Sequence, residues 1–294
     1  MKVAYKNELV FKLIYFVLIV LTGLFLSIYS SDILIGIGSV FVVLLYVVTA
    51  FKKETKRLKA VRRDFPEEWR KILVKYSKFY NFLGETGKRI FEKDILIFLS
   101  ENSVRSIRGE ETDNKTKILV AVGVATILHG RHEWEPPFTD GVVVYPGETF
   151  DPEYNLFKGQ IAGMAGERRP LLVTEKILEK SFRDPGDGYN SLIHEIAHYF
   201  DFENPLLSGV PLISGDREGV KKWIGIMEKE RLKVNKGKSF LRQYAGTNEA
   251  EFFAVATEYF FERPYEMVNK NPELYKILRE FYNLDTQKMF NENN

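Results

Sequence analysis

Two long apolar segments near the start of the chain constrain its fold more than any other feature. The runs "LIYFVLIVLTGLFLSIY" (13–29) and "ILIGIGSVFVVLLYVVTAF" (33–51) contain no charged residue. As helices that rise about 1.5 Å per residue, each spans, or nearly spans, a hydrocarbon core about 30 Å thick. Residues 30–32 alone separate the two runs. The sequence therefore predicts a two-helix transmembrane hairpin over residues 1–55.

The charges that flank this hairpin predict its orientation. Lys2, Lys6 and Lys12 precede the first run, and a segment dense in Lys and Arg (52–63) follows the second, whereas the tip carries one acid and no base. By the positive-inside rule, both termini and the rest of the chain lie on the cytoplasmic side of the cell membrane. A cleaved signal peptide is the alternative for the first run, but no small-residue cleavage site follows it, and the second run would still anchor the chain.

The composition excludes several classes of site. The chain has no cysteine, so it has no disulfide framework and no thiolate ligand or nucleophile, which fits a reducing compartment. Its net charge is +2, and the one dense basic cluster is the segment 52–63. No aromatic platform or recognition motif accompanies that cluster, so we expect contact with the lipid bilayer rather than with nucleic acid.

The pattern after the hairpin predicts an α+β domain over residues 56–294. Helical patterns cover 64–83, 86–101, 116–130, 190–205, 216–235, 249–263 and 272–283. Two stretches with short branched apolar cores, 141–150 and 169–178, are typical of strands. Strands grouped in the middle, with helices on both sides, favour a small mixed sheet with helical flanks. We expect "GVVVYP" (141–146) to be an edge strand that pairs with an extended substrate.

The stretch "NSLIHEIAHYFDFENP" (190–205) contains the pattern of a metal site. On a helix, His194 and His198 lie on one face, so both imidazoles can reach a common metal ion. Glu195 is displaced by one residue, which lets it reach a metal-bound water instead. In zincins, zinc acidifies this water and polarises the peptide carbonyl, while the glutamate takes the proton and passes it to the leaving amine. The pattern therefore predicts a zinc peptidase.

A chance match on an ordinary amphipathic helix is the alternative explanation of this motif. Against it, an apolar stripe separate from the histidines fixes one side of the helix in a core. Its members are Leu192, Ile193, Ile196, Ala197 and Phe200. Asp201 lies on the histidine side near the helix end, where a carboxylate opposes the helix dipole. We expect it either to orient a ligand histidine or to be a solvated acid.

A catalytic zinc needs a third protein ligand, which we expect from a later helix. Within "YAGTNEAEFFAVATEYFFERP" (244–264), Glu251 and Glu258 share one face, and the spacing leaves both open as the ligand. Asn248 with Glu251 is also a capping-box pattern, which needs no metal. The rival cluster "HGRHE" (129–133) spaces its histidines by three, and we interpret them as surface or packing residues.

Four segments in this order resemble the Mlc titration factor family of zinc metallopeptidases, related in site architecture to gluzincins and the anthrax lethal factor catalytic domain. They are "FPEEWRKIL" (65–73), "VVVYP" (142–146), "RDPGDGYNSLIHEIAHYFD" (183–201) and "YAGTNEAEFFAVATEYFFERP". The resemblance covers roughly residues 64–285. It implies one zinc ion held by His194, His198 and Glu251, with Glu195 as general base and Tyr244 as a catalytic phenol. Glu258 then joins Asp201 as a candidate for orienting the ligands.

Two departures from that family bear on function. The characterised type is a soluble cytosolic protein without the hairpin, and the tryptophan usual in the strand before the active helix is absent from "RPLLVTEKIL" (169–178). The leading hypothesis is a membrane-anchored cytoplasmic zinc metallopeptidase, for instance an aminopeptidase, that acts on a peptide or protein substrate. The alternative is a tethered binding protein that sequesters a transcriptional regulator, with little or no peptidase activity.

Overall fold

The computed structural model describes residues 1–30, 33–136, 140–146, 170–202, 209 and 217–291. It divides into two compact units, Met1–Asp64 and Phe65–Asn294. The division expected between residues 55 and 56 falls inside a helix of the first unit.

The first unit consists of three helices, of which two are long and apolar enough to cross a membrane. They are α1 (Lys6–Ser30), α2 (Ile33–Ala50) and α3 (Lys52–Val61). In the most apolar stretches of α1 and α2, only 6% and 0% of the residues are buried within the protein. The two helices pack closely at Gly23: a Cβ added there would lie only 2.7 Å from the Cβ of Ser39. The predicted tip at residues 31–32 lies outside the described residues.

The second unit is mostly helical. Its described residues form the helices α4 (Glu67–Tyr76), α5 (Lys78–Asn81), α6 (Glu85–Glu101), α7 (Asn114–Leu128), α8 (Glu175–Arg183), α9 (Ser191–Phe202), α10 (Arg217–Asn235), α11 (Glu249–Glu262), α12 (Pro264–Lys270), α13 (Pro272–Tyr282) and α14 (Thr286–Asn291). The expectation of one helix over 64–83 is wrong. Ser77 adopts an extended conformation, and its hydroxyl accepts a hydrogen bond from the backbone N–H of Tyr80. α4 therefore ends before Ser77, and Ser77 caps the start of α5.

The described strands form a small parallel sheet of β1 (Val104–Ser106), β2 (Val142–Tyr145) and β3 (Leu171–Thr174), in the order β1-β2-β3. The expectation of a mixed sheet is therefore wrong for these strands, since both strand pairs run parallel. The interpretation of "GVVVYP" as an edge strand is also wrong. β2 is central and pairs on both sides, so no edge of it is left for a substrate.

The prediction of a strand over 169–178 is confirmed only for its first part. Its first part forms β3, but α8 begins at Glu175, directly after the strand. Acidic Glu175 in the first turn and basic Lys180 and Arg183 in the last turn all complement the dipole of this helix. The last residues of the other expected strand, 147–150, lie outside the described residues.

The helix α9 carries His194, Glu195 and His198. Its position is limited by the buried helix α7. Every residue from Ile118 to Leu128 is buried, as expected for the apolar run at 116–130. Gly123 lies against α9, because a Cβ there would meet Leu192 Cδ2 at 2.4 Å. α9 also packs against α11 and β3. The motif helix is therefore supported on several sides, while its histidines face α11.

Candidate metal centre

The first turn of α9 is fixed by Asn190. Its side-chain oxygen accepts a hydrogen bond from the backbone N–H of Ile193 at 3.0 Å, as an N-cap residue does. Its own backbone N–H donates to Glu258 Oε2 on α11 at 2.7 Å. The start of the motif helix is thereby tied to the helix that carries both candidate glutamates.

Three candidate ligand atoms converge between α9 and α11. His194 Nε2 lies 3.1 Å from His198 Nε2 and 2.9 Å from Glu251 Oε2, and His198 Nε2 lies 3.5 Å from the same oxygen. Ligand atoms about 2.0–2.1 Å from a tetrahedral zinc ion lie about 3.3 Å apart from one another. The separations in this cluster match that value, and two imidazoles with one carboxylate are a set of ligands that zinc accepts. The residues present therefore fit a zinc ion.

Glu251 is placed by its position at the start of α11. The side chain of Asn248 caps the helix by accepting a hydrogen bond from the backbone N–H of Glu251 at 2.9 Å. The carboxylate of Glu251 points to other groups: Oε2 faces the histidines, and Oε1 accepts a hydrogen bond from the Tyr244 hydroxyl at 3.1 Å. The local cap and the metal-facing carboxylate are thus compatible at one residue.

Glu258 lies two turns further along α11 and is completely buried. Its Oε1 lies 2.6 Å from His194 Nδ1, the ring nitrogen opposite the one that faces Glu251. A carboxylate at this position fixes the ring orientation and keeps the proton on Nδ1, which leaves the Nε2 lone pair for a metal ion. Of the two glutamates that the spacing left open, Glu251 faces both histidines and Glu258 lies behind one of them.

The electrostatics of the cluster favour a positive charge at its centre. Burial alone would lower the pKa of His194, but contacts with Glu251 and Glu258 raise it to about 9. Burial alone would raise the pKa of Glu251, but the facing imidazoles hold it well below its ordinary value. The negative carboxylates thus stabilise a cation on or between the imidazoles, and either a proton or a metal ion would meet this demand.

The other predicted residues lie at different distances from this centre. Glu195 is half-buried, and its charge contributes to raising the pKa of both His194 and Tyr244. Burial and the charge of Glu251 raise the pKa of Tyr244 to about 12, so its phenol stays a hydrogen-bond donor at neutral pH. Asp201 is buried and accepts a hydrogen bond from the backbone N–H of Gly209. Its role in orienting a histidine stays a prediction.

Sequence reasoning missed Arg242, which precedes a short 3-10 turn (Gln243–Gly246). Its guanidinium donates to both carboxylate oxygens of Glu258, at 2.7 and 2.5 Å. The one weak signal in the sequence was that Arg242 comes two residues before Tyr244, the expected catalytic phenol. No helical period applies in that segment, so the sequence did not indicate where its side chain points.

The rival cluster at 129–133 behaves as a packing feature in the part of the chain that is described. His129 is buried, and its ring lies edge-on to Phe79 with centroids 5.4 Å apart. Burial, with a smaller effect of His132, lowers the pKa of His129 to about 4. A neutral imidazole in an aromatic core matches the interpretation of these histidines as packing residues.

Comparison with known proteins gives a family match that includes α9 and α11 and several similar proteins. The model of a family described as glucose-regulated metallo-peptidase M90 matches residues 51–283. An uncharacterized protein of Synechocystis sp. is 25% identical over an alignment of 241 residues that covers 76% of this chain and 86% of that protein. Mlc titration factor A of Salmonella gallinarum is 27% identical over an alignment of 203 residues that covers 64% of this chain and 76% of the relative. The protein of the same name in Salmonella arizonae is also 27% identical, with 64% and 80% covered.

Proposed function

Because this chain belongs to the glucose-regulated metallopeptidase M90 family, we propose that it is a membrane-anchored zinc peptidase with its catalytic unit on the cytoplasmic side. The observation that carries the proposal is the convergence of His194, His198 and Glu251, whose ligand atoms all lie within 4.8 Å of one another. Their chemistry and spacing suit one zinc ion per chain.

The protein's own groups would divide the reaction between them. When bound, zinc supplies Lewis acidity to the scissile carbonyl and to the attacking water. Glu195 takes the proton of that water and later gives it to the leaving amine. Tyr244, whose phenol is kept protonated, donates a hydrogen bond to the carbonyl oxygen as negative charge develops there. Glu258 holds His194 in the orientation that presents Nε2 to the centre.

The apolar helices α1 and α2 support the membrane location, since each is long and apolar enough to cross a bilayer. The basic residues at 2–12 and 52–63 support the cytoplasmic orientation of both termini. The substrate is therefore a peptide or protein that reaches the cytoplasmic face of the membrane.

A second candidate function is supported by the name of the Salmonella relatives, Mlc titration factor A. A tethered protein of this kind would bind a transcriptional regulator and hold it at the membrane, with little or no peptide hydrolysis. Regulator binding that persists after chelation and in Glu195→Gln, together with no turnover of a peptide library, would favour this candidate.

The substitution Glu195→Gln tests the peptidase proposal. The amide cannot accept the water's proton, so we expect kcat/KM for peptide cleavage to fall by about 10²–10⁴-fold. Zinc content stays at that of the wild type, because Glu195 is not among the three converging ligands. Cleavage and zinc are measured on the same purified full-length sample. Cleavage at the wild-type rate in Glu195→Gln would remove this glutamate from the mechanism.

A further inference from the structure

Arg242 is joined to the candidate metal centre through Glu258. Its Nη1 donates to Glu258 Oε2 at 2.7 Å and its Nη2 donates to Oε1 at 2.5 Å, so the contact is two-pronged. Nη1 also donates to the carbonyl oxygen of Gly188 at 3.0 Å. The guanidinium lies 4.5 Å from the ring centroid of Tyr189. These contacts hold the planar guanidinium in one orientation, edge-on to the carboxylate.

The buried Glu258 depends on this cation. Glu258 is 0% exposed, and a carboxylate without a partner at such a position costs several kcal/mol. Arg242 and the backbone N–H of Asn190 satisfy it from one side. The carboxylate then remains an acceptor toward His194 Nδ1, 2.6 Å away. The chain of contacts therefore runs from Arg242 through Glu258 to the imidazole that faces the metal centre.

We propose that Arg242 is a positioning residue that acts through Glu258 to hold His194 for zinc binding. The inference rests on the proposed function, because it assumes that zinc is the occupant of the site. Arg242 itself lies behind the ligands: its Nη2 is 3.4 Å from His194 Nδ1, on the far side of the ring from Glu251. Its effect should consequently appear in metal affinity.

Zinc affinity of the full-length protein in detergent, measured by competition with a chromophoric chelator, tests this proposal. We expect Arg242→Met to bind zinc about 10–100-fold more weakly than the wild type. Arg242→Lys retains the charge and one contact, so its loss should be smaller. In a Glu258→Gln background, Arg242→Met should add less than about twofold, because the intermediary is already altered.

Arg70→Met is the matched control. Arg70 also makes a two-pronged contact with a largely buried carboxylate, Glu92, at 2.8 and 3.3 Å, but on α4 and α6. Loss of this contact in Arg70→Met should lower the stability of the protein and leave its zinc affinity unchanged. An equal loss of affinity in Arg70→Met would mean that Arg242 acts through general stability.

The outcomes separate this inference from the proposed function. A wild-type protein that binds no zinc refutes both. A wild type that binds zinc while Arg242→Met matches it within about twofold refutes the positioning role alone. If Arg242→Met weakens zinc binding as much in the Glu258→Gln background as in the wild type, Arg242 does not act through Glu258. If Arg242→Met does not fold, as judged by circular dichroism, the neutral variant Arg242→Gln takes its place and is judged by the same criteria.

Discussion

The imidazole of His194 is held at both ring nitrogens by carboxylates of one helix. Glu251 lies 2.9 Å from Nε2 and Glu258 lies 2.6 Å from Nδ1. The two glutamates are seven residues apart on α11, so they occupy the same face of that helix, two turns apart. The ring orientation is therefore set by a regular helix, which is more rigid than a loop. His198 then completes the cluster from the next turn of α9.

His129 should make the protein sensitive to acid for a reason unrelated to metal binding. Burial lowers its pKa in the folded protein to about 4, whereas it is about 6.5 in the unfolded chain. Between these values the unfolded chain binds more protons, so stability falls as the pH drops from about 6.5 to 4. The loss amounts to about 3 kcal/mol at most, and His129→Leu should remove most of it. Thermal unfolding of metal-free protein at several pH values measures the difference.

The control for this prediction is His132→Leu. His132 neighbours His129, with ring centroids 5.9 Å apart, but it is more exposed. Its replacement should leave most of the acid-induced loss in place. Unfolding curves of His129→Leu and wild type that shift in parallel with pH would contradict the assignment of this loss to His129.

At the scale of elements, the contact between α7 and α9 determines how the histidine helix is seated. A Cβ at Gly123 would lie 2.4 Å from Cδ2 and 2.7 Å from Cγ of Leu192, which is fully buried. We expect Gly123→Ala to destabilise the fold by about 1–3 kcal/mol, since overpacking forces the two helices apart. Because α9 carries two of the proposed ligands, zinc affinity should fall as well. Urea unfolding and chelator competition measure the two effects.

Gly225→Ala is the matched control on α10. A Cβ there meets no atom within 4 Å, so alanine brings its higher helix propensity without a clash. It should raise stability by about 0.5–1 kcal/mol and leave zinc affinity unchanged. If Gly123→Ala were as stable as Gly225→Ala, the close contact between α7 and α9 would not limit the position of the motif helix.

The sequence predicts the motif helix well because its information is local. The spacing of His194 and His198 places both imidazoles on one face without reference to the rest of the chain. The choice between Glu251 and Glu258 depends on how α11 packs against α9. The spacing of residues along the sequence does not specify this packing. Arg242 lies outside any periodic segment. The three-residue strand β1 is too short for a period of two, so the central position of β2 could not be predicted.

At the scale of the whole molecule, the proposed membrane hairpin would determine where the proposed peptidase unit works. In the most apolar stretches of α1 and α2, 6% and 0% of the residues are buried within the protein. An exposed apolar surface of this size is typical of helices that cross a membrane. We expect the full chain to sediment with membranes and to resist extraction by alkaline carbonate. Recovery in the soluble fraction would contradict the assignment of these helices as membrane spans.

The orientation gives a separate prediction. With the basic segment 52–63 on the cytoplasmic side, a protease added outside intact cells should leave the second unit uncut, and it should cut that unit after the membrane is opened. A cytoplasmic marker protein provides the control for membrane integrity. Cleavage in intact cells would place the catalytic unit on the opposite side.

Zinc content is the measurement that tests the central claim most directly. The full-length protein, purified in detergent without added metal or chelator, should contain about one zinc ion per chain, since the three proposed ligands form one site. His194→Ala should lose that zinc, because two ligands remain, whereas His129→Leu should keep it. Stoichiometric zinc that disappears with His194 is the predicted result. A folded wild type without zinc, or zinc that persists in His194→Ala, would contradict the account.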